Sequence, residues 1–281
     1  MKFSELPYIR PDLDQLRAQC DALCARFENA ASAEEQIAAY QDFEELSKDV
    51  MTNLTIASIR HTVDTRDEFY NAENDFSDEA SPQIEEMFQK FNQALLASKF
   101  RPELEKHYGA LIFKKAEISA RAFSPEILDL MQEENQLASQ YQKLYASGMV
   151  EFRGEKLPLP KLGPYMESPD RATRREAYAA RASFFEANRA ELDELYGKLI
   201  RCRNEQGRRL GHKNYIQLGY DRLGRNCYTP EDVAAFREQI ARDMVPIVAE
   251  RKQAQKERIG VDRICLYDDK FLFPDGNAKP E

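Results

Sequence analysis

Apolar residues recur along most of this chain with a period close to 3.6. Ile37, Tyr40, Phe43, Leu46, Val50 and Leu54 form one stripe, and Tyr178, Phe185, Leu192, Leu195, Leu199 and Cys202 form another. Stripes of this period bury against neighbouring helices, while the Glu, Lys and Arg between them face water. The pattern predicts an all-α protein, a multi-helix bundle. Two of its helices are long, one from about Ser32 to Val63 and one from about Pro169 to Leu210. Ser32 precedes Glu35 by three positions, the spacing of a capping box. Ser81-Pro82, Ser124-Pro125, Ser168-Pro169 and Thr229-Pro230 also read as helix starts, each a capping hydroxyl followed by a proline suited to the first turn. Glu126, Asp170 and Glu231 follow three of these pairs and suit the positive end of the helix dipole. Gly211, just past the second long helix, is placed for a left-handed cap.

One segment departs from the helical period. Gly148 to Leu162 reads GMVEFRGEKLPLPKL, with Val150 and Phe152 alternating with polar residues and Arg153-Gly154 able to turn. A short β-hairpin or extended connector is expected near 148–162. It is also the best internal boundary. Residues 1–147 then form an amino-terminal helical lobe, and residues 148–281 carry the connector, the second long helix and a further set of helices. The closing stretch DDKFLFPDGNAKPE has no helix signal. No internal repeat or low-complexity tract stands out.

The 281 residues suffice for one large domain or two ordinary ones. Hydrophobic residues at 42% and charged residues at 32% fit a folded protein with a solvated surface rather than a disordered one. The formal net charge of −9 is opposite to what a duplex-binding surface needs, and disfavours anionic membranes too. The opening residues lack the apolar run of a signal peptide, and no stretch reaches membrane-spanning length. Five irregularly spaced cysteines without a C-x-x-C pair suggest a reducing, cytoplasmic setting.

Candidate chemistry is sparse. The three histidines, His61, His107 and His212, are scattered, and none has a second histidine one helical turn away. They lack the ligand spacing of a zinc helix, and each is expected at a surface or helix end. Cys20 and Cys24 share a helix face and are expected to pack as small apolar groups. No G-x-S-x-G elbow or glycine-rich phosphate loop is present. The acidic pairs Glu34-Glu35 and Glu133-Glu134 read as solvated helix faces. Arg171, Arg174 and Arg175 converge on one helix face. They suit either an anionic group such as a peptide carboxylate or a salt-bridged face with Asp170, Glu176 and neighbouring helices. The stretch GHKNYIQLGYDRLGR, Gly211 to Arg225, is rich in Tyr and Arg on a connection after a long helix. It reads either as a site-lining loop or as a packed corner.

Several passages carry a resemblance. KFSELPYIRPDL at the start, EFRGEKLPLPKL running into SPDRATRREAYAAR, RNEQGRRLGHKNYIQLGYDRLGRNCYTPEDVAAFREQI and the closing YDDKFLFPDGNAKP resemble, in that order, bacterial oligoendopeptidases of the oligoendopeptidase F and Pz-peptidase type. These are zinc metallopeptidases related to thimet oligopeptidase. The resemblance implies two helical lobes around a channel for oligopeptides, cytoplasmic location, and a zinc site made of H-E-x-x-H and a later Glu. There the zinc polarises the scissile carbonyl and the motif Glu activates water. This sequence contains no such motif, so the resemblance assigns it no catalytic and no metal residue. It implies the amino-terminal half of such an enzyme, inactive alone, with Tyr215, Tyr220, Arg222 and Arg225 as candidate lining of the substrate channel. A lobe without its partner is expected to expose apolar surface. Two other readings stay open. One is a complete, non-catalytic helical protein that binds peptides. The other is an association module, though neither long helix keeps a strict heptad.

Overall fold

The structure is a computed structural model that describes residues 2–277. In chain order its helices are α1 (Leu13–Glu28), α2 (Ala33–Val63), α3 (Glu68–Leu96), α4 (Arg101–Tyr108), α5 (Leu111–Ala122) and α6 (Leu128–Ala146). The hairpin strands β1 (Met149–Phe152) and β2 (Glu155–Pro158) follow. Then come α7 (Gly163–Met166), α8 (Arg171–Ala187), α9 (Arg189–Arg209), α10 (Tyr215–Arg222), α11 (Pro230–Gln239) and α12 (Val245–Arg258). The expected all-α class with one short hairpin is observed. The chain forms two compact units, Met1–Lys143 with Gly197–Cys227, and Leu144–Tyr196 with Tyr228–Glu281.

In the first unit α1, α2 and α3 bury a common core. All six residues of the first stripe belong to it or pack against it. Phe43 and Phe91 stack face to face with ring centroids 4.0 Å apart, and Phe27 leans on Phe91 at 5.1 Å. Cys20 is buried and Cys24 lies against the core, as expected; burial pushes the Cys20 thiol up to about 11. Ser32 caps α2 by accepting from the Glu35 N–H at 3.3 Å. The return arm differs from a standard box, because Glu35 accepts from Ala31 N–H, one residue earlier, at 2.7 Å.

Ser81-Pro82 does not start a helix. It lies inside α3, whose cap is Asp67. Proline cannot donate to the carbonyl four residues back. That carbonyl, on Asp78, instead accepts from Asn135 Nδ2 of α6 at 3.0 Å. The Ser81 hydroxyl donates to Ser77 O at 2.6 Å, the back-bonding used mid-helix rather than at a cap. Ser124 does cap the turn Pro125–Ile127 that leads into α6.

In the second unit the expected hairpin is present. Met149 pairs with Pro158 and Phe152 with Glu155. Arg153 and Gly154 both have positive φ, at +53° and +84°, the two-residue turn whose twist matches the strands. Val150, Phe152, Leu159 and Leu162 form a core with Ala177 and Phe184 of α8. The cap of α8 is Asp170, which accepts from Thr173 N–H at 2.9 Å, and Ser168 only supports Asp170 N–H at 3.2 Å. The long helix expected from Pro169 to Leu210 is two helices. Asn188 interrupts it at φ −106° and ψ 13°, with its side-chain amide donating to Phe184 O at 2.8 Å.

Thr229 and Asp232 form a full capping box at the start of α11. Between α11 and α12 lies a wider π-helical segment, Ile240–Met244. Pro246 follows in the first turn of α12, where its missing N–H costs no bond within that helix. After the 3-10 turn Leu266–Asp268 no helix forms through Asn277, as expected; residues 278–281 of that closing stretch lie outside the described residues.

Candidate functional site

The Tyr- and Arg-rich stretch is not a loop throughout: Tyr215–Arg222 is helical. The chain leaves α9 through Gly211 at φ +81°. Gly211 N–H bonds Arg208 O and His212 N–H bonds Gly207 O, both at 2.9 Å, so the last carbonyls of α9 are satisfied. Gly207 has a second role. A Cβ there would meet the Asn214 carbonyl oxygen at 2.5 Å, so only glycine lets the returning chain lie against α9. Asn204 then accepts from Tyr215 N–H at 3.1 Å, and Asn214 caps α10 through Ile216 N–H at 3.0 Å.

This corner places Arg222 against Glu134 of α6. Arg222 Nη1 donates to Glu134 Oε2 at 2.7 Å, and its Nη2 donates to Gln206. Arg203 donates to the other carboxylate oxygen at 2.6 Å, and Gln206 Nε2 adds a contact at 2.9 Å. Burial pushes the Glu134 carboxyl up, but these donors outweigh it and hold it below the usual carboxylate range. Glu134 is therefore an ionised, saturated anchor rather than a proton acceptor. It is not the solvated residue that Glu133-Glu134 suggests. Leu130 and Leu137, four before and three after it, are buried on the same face of α6. That spacing is the sequence signal for its inward position.

Of the four candidate lining residues, the structure groups two and two. The Tyr215 ring lies beneath the guanidinium groups of Arg203 and Arg222, at 5.6 and 5.9 Å. The Arg225 guanidinium covers the Tyr220 ring at 4.2 Å. Arg222 and its neighbour Asp221 also line a cleft of about 530 Å³, with Glu85 of α3, Ser119 of α5 and Asn135 of α6. Asp221 Oδ1 accepts from Gln217 at 3.3 Å and Arg121 at 3.5 Å, while its Oδ2 is buried without a partner among the described residues. The arrangement can bind polar groups. Ser119 Oγ donates to Glu85 Oε1 at a long 3.5 Å, and no histidine among the described residues lines the cleft.

Of the three arginines expected to converge on α8, Arg171 and Arg174 are occupied from within, while Arg175 is exposed. Asp268 is wholly buried and accepts from Arg171 Nη2 at 2.8 Å, Arg174 Nη2 at 2.9 Å and Cys265 N–H at 3.0 Å. Burial pushes its carboxyl up, and these donors bring it down to about 2. Arg174 gives its remaining donors to the carbonyls of Tyr267, Ser168 and Pro169, with Phe271 against its guanidinium at 3.9 Å. The expected partners are engaged elsewhere. Asp170 caps α8, and Glu176 pairs with Arg153 at 2.9 Å.

His61 is not a surface residue. It continues the buried face of Val50, Leu54 and Ala57 in the last turns of α2, and neither ring nitrogen has a partner among the described residues. His107 is exposed near the end of α4, and His212 follows α9. Among the described residues no three of His, Cys, Asp and Glu stand together as metal ligands, so these residues do not fit a zinc centre. No helix among the described residues is long and apolar enough to cross a membrane.

Residues 3–123 match the peptidase M3 N-terminal domain, and residues 164–274 match peptidase family M3. No curated protein matches the chain. Three solved structures are similar over nearly its whole length, each with a TM-score of 0.96. A Pz peptidase A, solved with an inhibitor, is 42% identical over 98% of this chain and 49% of its own. A protein described as an oligoendopeptidase F is 43% identical over 99% and 49%. One from Bacillus anthracis strain Ames, also described as an oligoendopeptidase F, is 38% identical over 100% and 52%. The chain thus spans about half the length of the solved structures it matches.

Proposed function

The chain belongs to peptidase family M3, and on that premise we propose that it forms part of a cytoplasmic, zinc-dependent oligoendopeptidase that hydrolyses short peptides within a helical channel. The observation that carries this reading is the end-to-end match to the oligoendopeptidase F and Pz peptidase structures, at 38–43% identity. Residues 1–147 correspond in this reading to an amino-terminal lobe, and residues 148–281 to the beginning of the peptidase domain. The 281 residues alone do not cut peptides. When bound, zinc supplies the Lewis acid and the activated water, and its ligands come from sequence beyond this chain.

What these residues contribute is a shaped wall. The Glu134 anchor fixes Arg222 and Arg203 over the Tyr215 ring, and Arg225 is stacked on Tyr220. In this reading Tyr215, Tyr220, Arg222 and Arg225 line the channel, offering aromatic faces and guanidinium donors to a peptide backbone. The test compares the 281-residue chain with a product of the same locus long enough to match the relatives over their full length. Hydrolysis of an internally quenched peptide by the longer product only, abolished by a chelator and restored by zinc, supports the reading. A longer product that folds, takes up zinc and leaves the peptide intact refutes it.

A further inference from the structure

The second unit contains a groove between α8 and the segment that carries Lys270. Two adjoining depressions, of about 250 and 400 Å³, share Met166, Tyr178, Arg181 and Lys270. One face of α8 forms a wall, because Tyr178, Arg181, Ala182 and Phe185 follow one another at helical spacing. Tyr178 and Phe185 belong to the stripe expected to bury against a neighbouring helix. The structure leaves both half-buried along the groove.

The opposite wall is held rigidly. Asp268 is clamped by Arg171 and Arg174, and Gln255 Nε2 donates to the carbonyls of Asp268 at 2.9 Å and Phe271 at 2.7 Å. Asn277 donates to the Lys270 carbonyl at 2.6 Å. The backbone carrying Lys270 is thus fixed on both sides. Yet its ammonium, like the Arg181 guanidinium, has no carboxylate at ion-pair distance among the described residues. Arg181 lies only over the Phe185 ring, at 5.8 Å. Two acids also line the groove, but Asp269 is taken by Lys252 at 2.6 Å. Glu167 remains, so the walls carry two unmatched cations against one acid.

We propose that this groove holds the carboxyl-terminal residue of an oligopeptide, its carboxylate on Arg181 and Lys270 and its apolar side chain against Tyr178, Met166 and Phe185. A guanidinium on a fixed helix face suits a carboxylate through two parallel N–H contacts, and a nearby ammonium adds a point charge. Aromatic and thioether walls take an apolar side chain of varied shape. The choice of a peptide rests on the peptidase reading, but the test reads binding and not hydrolysis, so either can fail without the other.

The test is fluorescence anisotropy of pentapeptides with an amino-terminal dye and a last residue Phe, as free acid or as amide, titrated with the 281-residue chain. The acid is expected to bind about tenfold more tightly than the amide, since a charge-assisted contact is lost in the amide. Arg181→Gln and Lys270→Gln should each remove that preference. Lys156→Gln, an exposed cation on β2 outside the groove, should keep it. Equal binding of acid and amide, no binding of either, or an equal loss in all three variants would overturn the proposal. The acid–amide comparison on the unaltered chain does not depend on any variant folding.

Discussion

Arg174 and Asp268, 94 residues apart in sequence, meet at 2.9 Å with both side chains shut away from water. Because Arg171 and Cys265 N–H share the same carboxylate, the contact closes the α8 start onto the Leu266–Phe271 segment. Removing one partner leaves the other charged and buried, which is more damaging than losing the contact itself. Asp268→Ala should therefore lower stability by about 3–5 kcal/mol, read from urea denaturation. A loss below about 0.5 kcal/mol, the range of ordinary surface substitutions, would show that the contact is not formed.

Acid should weaken the protein in two windows. His61 is held below its ordinary value of 6.5, first by burial and then by Lys143, with Asp75 opposing. The unfolded chain takes up this proton before the folded one, so His61 leaves stability intact above about pH 6.5 and erodes it as pH falls below that. His61→Leu should flatten the melting temperature between pH 7 and 5; an unchanged slope would exclude His61 as its source. Asp268, held at about 2 against an ordinary 3.8, acts lower. Its contribution is complete above about pH 3.8 and is lost as pH falls through about 2.

The Glu134 anchor should behave as one unit. Glu134→Gln and Arg222→Met should each destabilise, and the double variant should lose less than the sum, with a coupling of about 1 kcal/mol or more by denaturation. Strict additivity would mean that the two side chains act independently.

Phe236, Ile240, Met244, Ile247 and Val248 are exposed along α11, the π segment and α12. Such a contiguous apolar face should make the isolated chain bind a hydrophobic dye. Replacing Phe236, Met244 and Val248 by Ser should cut the dye signal with little change in melting temperature. A compact, dye-silent monomer would contradict this.

What was legible in the sequence is what local chemistry decides. Ser32 and Thr229 mark helix starts because their hydroxyls accept from the backbone N–H three residues on, and Arg153-Gly154 marks a turn because both positions take positive φ. Ser81-Pro82 carries the same local signal, yet the core-facing period of Ala80, Ile84, Met87 and Phe91 runs through it, and Asn135 satisfies the freed carbonyl. Asn188 was hidden in a helical stripe because one side chain bonding back to Phe184 is enough to interrupt it. The candidate corner was legible only as composition. That Arg222 would find Glu134, 88 residues earlier, and that the α8 arginines would find Asp268, depends on tertiary placement that no spacing records.

Reading the coding DNA past the codon for Glu281 decides whether this chain is part of a zinc oligoendopeptidase. The expected result is an open frame that continues into H-E-x-x-H and a downstream Glu. A stop codon directly after Glu281 would contradict it, and a peptide-binding protein without catalysis would then be the better reading.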